Sequence, residues 1–326
     1  MATLYIDHRD FELELDHGAL GLRRAGALER RIPLALLERI VISADVRLSA
    51  RLLALLAEAG VGVVLHASRS SAWAVLAGLP AGDAKRRLGQ ARMALEKDWK
   101  DLWARRWVLA KARAQAQLLR LEAEQRPSAR AKLLRAGEII ERVMDRLRAE
   151  KLAAESVRGL EGAASAAHFQ GLEALFPPSL EFHGRNRRPP RDPVNAALSL
   201  IYTLLYGAAV EAAVSAGLDA ALGYLHEPAP GRAGLACDLV EPVRPAADRV
   251  IVRLFRERTL RKDHFHTEDG ACLMGKAGRK AFYEAVEEDM ARLRPRLQRL
   301  ARLVAKAADA AGAAEQAATA GEVEEF

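Results

Sequence analysis

Cysteine is almost missing: two residues, Cys237 and Cys272, in a chain of 326. They form no CxxC pair, so neither a disulfide framework nor a structural zinc site is supported. Aromatic residues reach only 5 %. Alanine, leucine and arginine are abundant instead, all of which favour helix, and a mostly helical fold is expected. No uninterrupted apolar run approaches the ~20 residues that span a bilayer. The start, Met1-Ala2-Thr3-Leu4-Tyr5-Ile6-Asp7, has no basic segment leading into an apolar one. No membrane association and no secretory signal are expected, which makes the cytoplasm the expected location. A Walker loop, a GxSxG elbow and an HExxH pair are all missing, so P-loop nucleotide hydrolysis, serine-esterase chemistry and zinc proteolysis have no support.

What is there describes a globular protein. Apolar residues make up 50 % and charged residues 29 %, in a length that suits about two domains. The formal net charge is +7, which permits a polyanionic partner such as nucleic acid without requiring one.

The first part of the chain, residues 1–78, reads as a small β-rich unit. Phe11-Glu12-Leu13-Glu14-Leu15-Asp16 alternates apolar and acidic residues as a half-buried strand does. Arg39-Ile40-Val41-Ile42 and Val61-Gly62-Val63-Val64-Leu65 are β-branched runs. Between them, Ser49 to Leu56 has helical spacing and stops near Gly60. Glycines at 18, 21 and 26 suit tight connections. Residues 79–83 read as a linker, with Asp83 as a cap for the next helix. Residues 84–306 read as an all-helical domain. Within it Trp99, Trp103 and Trp107 recur every fourth position, a stripe better suited to a core than to stacking on bases. Residues 307–326, rich in alanine with terminal acids, read as a flexible tail.

Three segments set a candidate metal ligand beside glycine or proline. In Arg158-Gly159-Leu160-Glu161-Gly162, small neighbours leave room at a carboxylate for a ligand or a close helix crossing. In Gly223-Tyr224-Leu225-His226-Glu227-Pro228, the histidine stands where a long apolar helix from about Val194 to Leu222 would end. In Asp238-Leu239-Val240-Glu241-Pro242, two acids three residues apart share one helix face. Such a pair is mildly destabilising unless a cation or proton sits between. One histidine with several carboxylates suits Mg²⁺ or Mn²⁺, and that ion suits phosphodiester cleavage or transfer. Arginines gather in Phe182 to Pro193, where proline holds the loop extended, and again from Arg253 to Lys262. A solvated basic face explains both clusters equally well.

Taken in order, these pieces resemble a known family. They are Arg31-Ile32-Pro33-Leu34, Leu37 to Ile42, Leu48-Ser49-Ala50, Gly60 to Val63 and Arg158 to Gly162. They continue with Arg187-Arg188-Pro189-Pro190, Asp192 to Ser199, Tyr202, Gly217-Leu218-Asp219, Gly223 to His226 and Asp238 to Pro245. The sequence resembles the CRISPR-associated spacer-acquisition integrase, the larger of the two common adaptation proteins, often described as a metal-dependent DNA endonuclease. The resemblance implies an α+β fold, with a small amino-terminal β-rich domain followed by a larger all-α catalytic domain. It implies that a 3′-hydroxyl of a short duplex attacks a phosphodiester at a repeat edge. The implied metal ligands are Glu161, His226 and Glu241, holding Mg²⁺ or Mn²⁺. Asp238 joins them in the catalytic set as support or as an alternative ligand. The implied DNA-contacting residues are Arg185, Arg187, Arg188, Arg191, Arg244 and Arg256. The implied partners are the prespacer duplex, the CRISPR repeat, a second copy of the chain and the small companion adaptation protein. His168 stands where relatives often carry tyrosine and is left with DNA contact alone, and Tyr202 is expected to pack near the site. Two other readings use the same residues: a metal-dependent nuclease that does not integrate, and a non-catalytic DNA-binding protein in which acids and histidine are packing and cap residues.

Overall fold

A computed structural model of the protein describes residues 2–66, 73–76, 84–186 and 189–323. The expected linker at 79–83 with its cap Asp83, and the arginines at 187 and 188, lie outside the described residues.

Strands β1 (Ala2–Ile6), β2 (Phe11–Asp16), β3 (Ala19–Arg24) and β4 (Ala27–Pro33) come first. They are followed by β5 (Leu37–Ile42), β6 (Arg47–Leu48), helix α1 (Ala50–Glu58), β7 (Gly62–His66) and β8 (Trp73–Leu76). They form two four-stranded sheets, ordered β1-β5-β7-β8 and β4-β3-β2-β6. Ser49 caps α1, its hydroxyl accepting from the Leu52 amide at 3.1 Å. The turns His17-Gly18 and Ala25-Gly26 have positive φ at both residues, the backbone twist that joins antiparallel strands in two residues. Gly21, expected in a connection, sits inside β3. A Cβ there would press on Asp16 Cβ at 3.2 Å.

Period-two alternation lets one sheet serve two cores. Ile40 and Ile42 of β5 and Val63 of β7 join Leu13, Leu20, Leu52 and Leu56 in a core of the β-rich unit. Val41 and Val64, on the opposite face, belong to the helical core. The joint is polar as well: the Arg39 Nε donates to Glu211 Oε2 at 2.5 Å, and Tyr5 stacks on Tyr283 at 4.6 Å.

The helical part holds α2 (Ala84–Leu95), α3 (Lys97–Gln125), α4 (Arg130–Ala149), α5 (Ala154–Glu173), α6 (Pro193–Ser215), α7 (Gly234–Val240) and α8 (Arg244–Arg256). A hairpin of β9 (Phe265–Glu268) and β10 (Ala271–Met274) then precedes the long α9 (Lys276–Val323). Trp103 and Trp107 are buried and touch at 5.1 Å, and Trp99 packs against the same core, so the tryptophan stripe is core. Helix α6 has the length and apolarity of a membrane span, yet it packs against α7, α8 and α9 as a core helix. The start of the expected tail is also packed. Ala308 and Ala311 are buried where α9 crosses α2. Gly89 and Gly312 let the backbones meet, since a Cβ on Gly89 would fall 1.9 Å from the Ala308 carbonyl oxygen. Arg86 clamps the crossing with two 2.8 Å bonds to Asp309.

Candidate active site

The four acidic and imidazole candidates come from α5, the α6–α7 connection and α7. Glu161 lies mid-way along α5. A Cβ on Gly159 or Gly162 would meet nothing within 4 Å, so these glycines open the solvent side of Glu161 instead of admitting a helix. Ser165, one turn on, donates to Glu161 at 2.8 Å. Asp238 lies in the last turn of α7, and Glu241 follows Val240 in helical conformation as the C-cap, so the two acids keep one face.

A residue that the sequence did not single out joins the acids. Lys111 of α3 is 4 % exposed, and its ammonium donates to Glu161 and pairs with Glu241. Arg244 reaches Glu241 from the other side at 3.0 Å. Burial pushes the Glu241 carboxyl up, but Arg244 and then Lys111 outweigh it and bring the pKa down to about 2. Glu241 is therefore a carboxylate at neutral pH. The signal for Lys111 was present: it continues the every-fourth-residue series Trp99, Trp103, Trp107 and so falls on a buried helix face.

Asp238 and His226 form a second unit. His226 does not stand at a helix end: α6 stops at Ser215, ten residues after which the apolar pattern still runs through a loop. Gly217, with φ of 72°, stops the helix. The Leu218 amide bonds to Ala213 O at 3.0 Å and the Gly217 amide to Val214 O at 2.9 Å, satisfying the last carbonyls. The fully buried Asp238 then gathers the loop. It accepts from the backbone amides of Tyr224, Leu225 and His226 at 2.6, 3.0 and 3.0 Å, and from His226 Nδ1 at 2.8 Å. With Nδ1 so engaged, Nε2 is the ring nitrogen left for another partner.

Behind Arg244 lies a buried network. Asp248, one turn along α8, accepts from the Tyr202 hydroxyl and bonds His168 Nε2 at 2.9 Å. His168 is fully buried, which corrects the expectation of DNA contact: a side chain without exposed surface cannot meet a phosphate. Tyr202 lies near the site as expected, with the guanidinium carbons of Arg244 and Arg185 at 4.6 and 5.4 Å from its ring centre. Burial, then the Asp248 charge, raises the Tyr202 pKa well above normal, so its hydroxyl stays a donor.

The arginines separate. Arg244 is largely enclosed against Glu241 and Tyr202, inside the acidic cluster. Arg185 is held at the site's edge by Asn195 at 2.7 Å and Ser199 at 3.0 Å. Arg191 is exposed, and Arg256, at the end of α8, has a side chain 40 % exposed and lies 3.9 Å from Glu257. A groove of about 370 Å³ beside Ser165 is lined by Phe169, Gln170, His183 and Arg185 among others.

The donor set fits a hard divalent ion in its chemistry: Glu161 and Glu241 already share one cation, and His226 keeps one nitrogen available. As the side chains stand, no three His, Cys, Asp or Glu groups among the described residues close on a common point.

The family model described as CRISPR associated protein Cas1 matches residues 4–288. The chain belongs to the Cas1 family. The CRISPR-associated endonuclease Cas1 1 of Thermodesulfovibrio yellowstonii is 32% identical over 290 residues, spanning 88% of this chain and 91% of that protein. The structure of a Cas1 protein from Thermotoga maritima has a TM-score of 0.82 at 20% identity, covering 94% of this chain and 97% of the other. A casposase bound to integration product has a TM-score of 0.80 at 17% identity, covering 94% and 91%. These structural likenesses establish the Cas1 fold, with amino-terminal strands followed by a mostly helical part, as the sequence led one to expect.

Proposed function

We propose that the protein is a metal-dependent DNA integrase of CRISPR adaptation, joining the 3′-hydroxyl of a short duplex to a phosphodiester at the edge of a repeat. The observation that carries this reading is the convergence of Glu161 and Glu241, eighty positions apart, on a single cation, next to a histidine fixed by Asp238. Glu161, His226 and Glu241 would hold Mg²⁺ or Mn²⁺, which supplies Lewis-acid polarisation of the phosphoryl oxygen and of the attacking hydroxyl. Asp238 orients His226 and is a positioning residue, since both its oxygens already accept from the Tyr224–His226 loop. Arg244 keeps Glu241 ionised and ready to ligate. Arg185 stands at the mouth, where a phosphate would pass, and Arg191, Arg256 and the arginines at 187 and 188 extend the basic path. DNA binding by that path is sequence-independent and steeply salt-dependent. A cytoplasmic dimer bridged by the small companion protein completes the reading.

Strand transfer tests it, using a labelled short duplex, a plasmid carrying a repeat, the companion protein and Mn²⁺ or Mg²⁺. The wild type joins the duplex covalently to the plasmid, and Glu161→Ala does not. Cleavage without joining would assign a nuclease instead. Tight DNA binding with neither reaction would leave a structural DNA-binding protein.

A further inference from the structure

We propose that Lys111 is a built-in cation that holds Glu161 and Glu241 together before metal arrives and is displaced when a divalent ion enters, so that loading the site is an exchange of cations. This rests on Glu161 and Glu241 being metal ligands. Lys111 is buried on a helix face otherwise occupied by Trp103 and Trp107. A lone ammonium there would be strongly unfavourable, and the two carboxylates compensate it. Lys111 Nζ pairs with both carboxylates at once, which is the place a divalent ion shared by Glu161 and Glu241 would take. An ammonium and a divalent ion repel each other at that range, so entry of the ion requires either Lys111 or Arg244 to give up its carboxylate contacts. Arg244 is the less mobile of the two, since its planar head lies over Tyr202 at 4.6 Å and against Glu241 at 3.0 Å. Lys111 carries its charge on a flexible four-carbon stem, so Lys111 is the cation that moves.

Calorimetric titration of the full chain with Mn²⁺ provides one test, comparing wild type, Lys111→Met and Lys111→Arg. The expected result is at least tenfold tighter binding by Lys111→Met, about 1.4 kcal/mol, with Lys111→Arg no tighter than wild type. Equal affinity in wild type and Lys111→Met overturns the exchange while leaving the metal site standing. Failure of Mn²⁺ to bind either protein overturns the metal-ligand reading itself, and the exchange with it. A second measurement needs no variant. Amine acylation of the wild type, read by mass spectrometry, should leave Lys111 unlabelled without metal and label it in saturating Mg²⁺. Protection that persists in saturating Mg²⁺ also overturns the proposal.

Discussion

Asp238 and Glu241 stand one helical turn apart, both buried, and yet their surroundings differ in kind. Asp238 accepts from three backbone amides and an imidazole, partners that the chain itself holds in place. Glu241 faces the side-chain cations Lys111 and Arg244. An acid bound by backbone donors fixes a loop. An acid bound by side-chain cations can change partners, which is what a metal ligand must do. In the proposed reading the same three-residue spacing gives one residue that positions and one that ligates, and the difference lies in tertiary partners.

Glu241→Ala should have the largest effect, lowering strand transfer by at least about a thousandfold, about 4 kcal/mol of transition-state stabilisation. DNA affinity, measured by fluorescence anisotropy, should change little. Asp238→Asn should act more weakly and differently, with activity falling about 10–100-fold and part of the loss recovered at high Mn²⁺. If Asp238→Asn were as inert as Glu241→Ala at every metal concentration, the division between the two acids would fail. Tyr202→Phe removes one bond to Asp248 but keeps the ring under Arg244. Denaturant unfolding should report a loss of about 1–2 kcal/mol, with strand transfer reduced only a few-fold. The smallest effect is expected at the exposed rim, where Arg191→Ala should weaken DNA binding slightly. It should flatten the log–log salt slope by about 1, with no change in Mn²⁺ affinity.

Part of the order of elements was readable because its signals are local. Alternation marked β2, β-branched runs marked β5 and β7, and helical spacing over Ser49 to Leu56 marked α1. The hairpin β9–β10 went unread although Asp269-Gly270, with φ of 50° and 74°, is a strong two-residue turn signal; its strands are only four residues each. The His226 segment misled for a different reason. Leu218 and Leu225 are buried, so a loop that runs through the core keeps an apolar pattern after its helix has ended. In the candidate site, the acids and histidine drew notice by their glycine and proline neighbours. Lys111 did not, because its partners lie 50 and 130 positions away and pairing at that range leaves no mark on local composition. A lysine in register with three tryptophans was the one available sign. The His168–Asp248 bond is equally a product of packing, between α5 and α8.

The most direct test of the account is anomalous diffraction from crystals of the protein grown with Mn²⁺. One strong peak is expected, bound by Glu161, His226 Nε2 and Glu241, with Asp238 still on the His226 loop. A peak on Asp238 in place of Glu241, or none within the cluster while manganese is bound elsewhere, would contradict it.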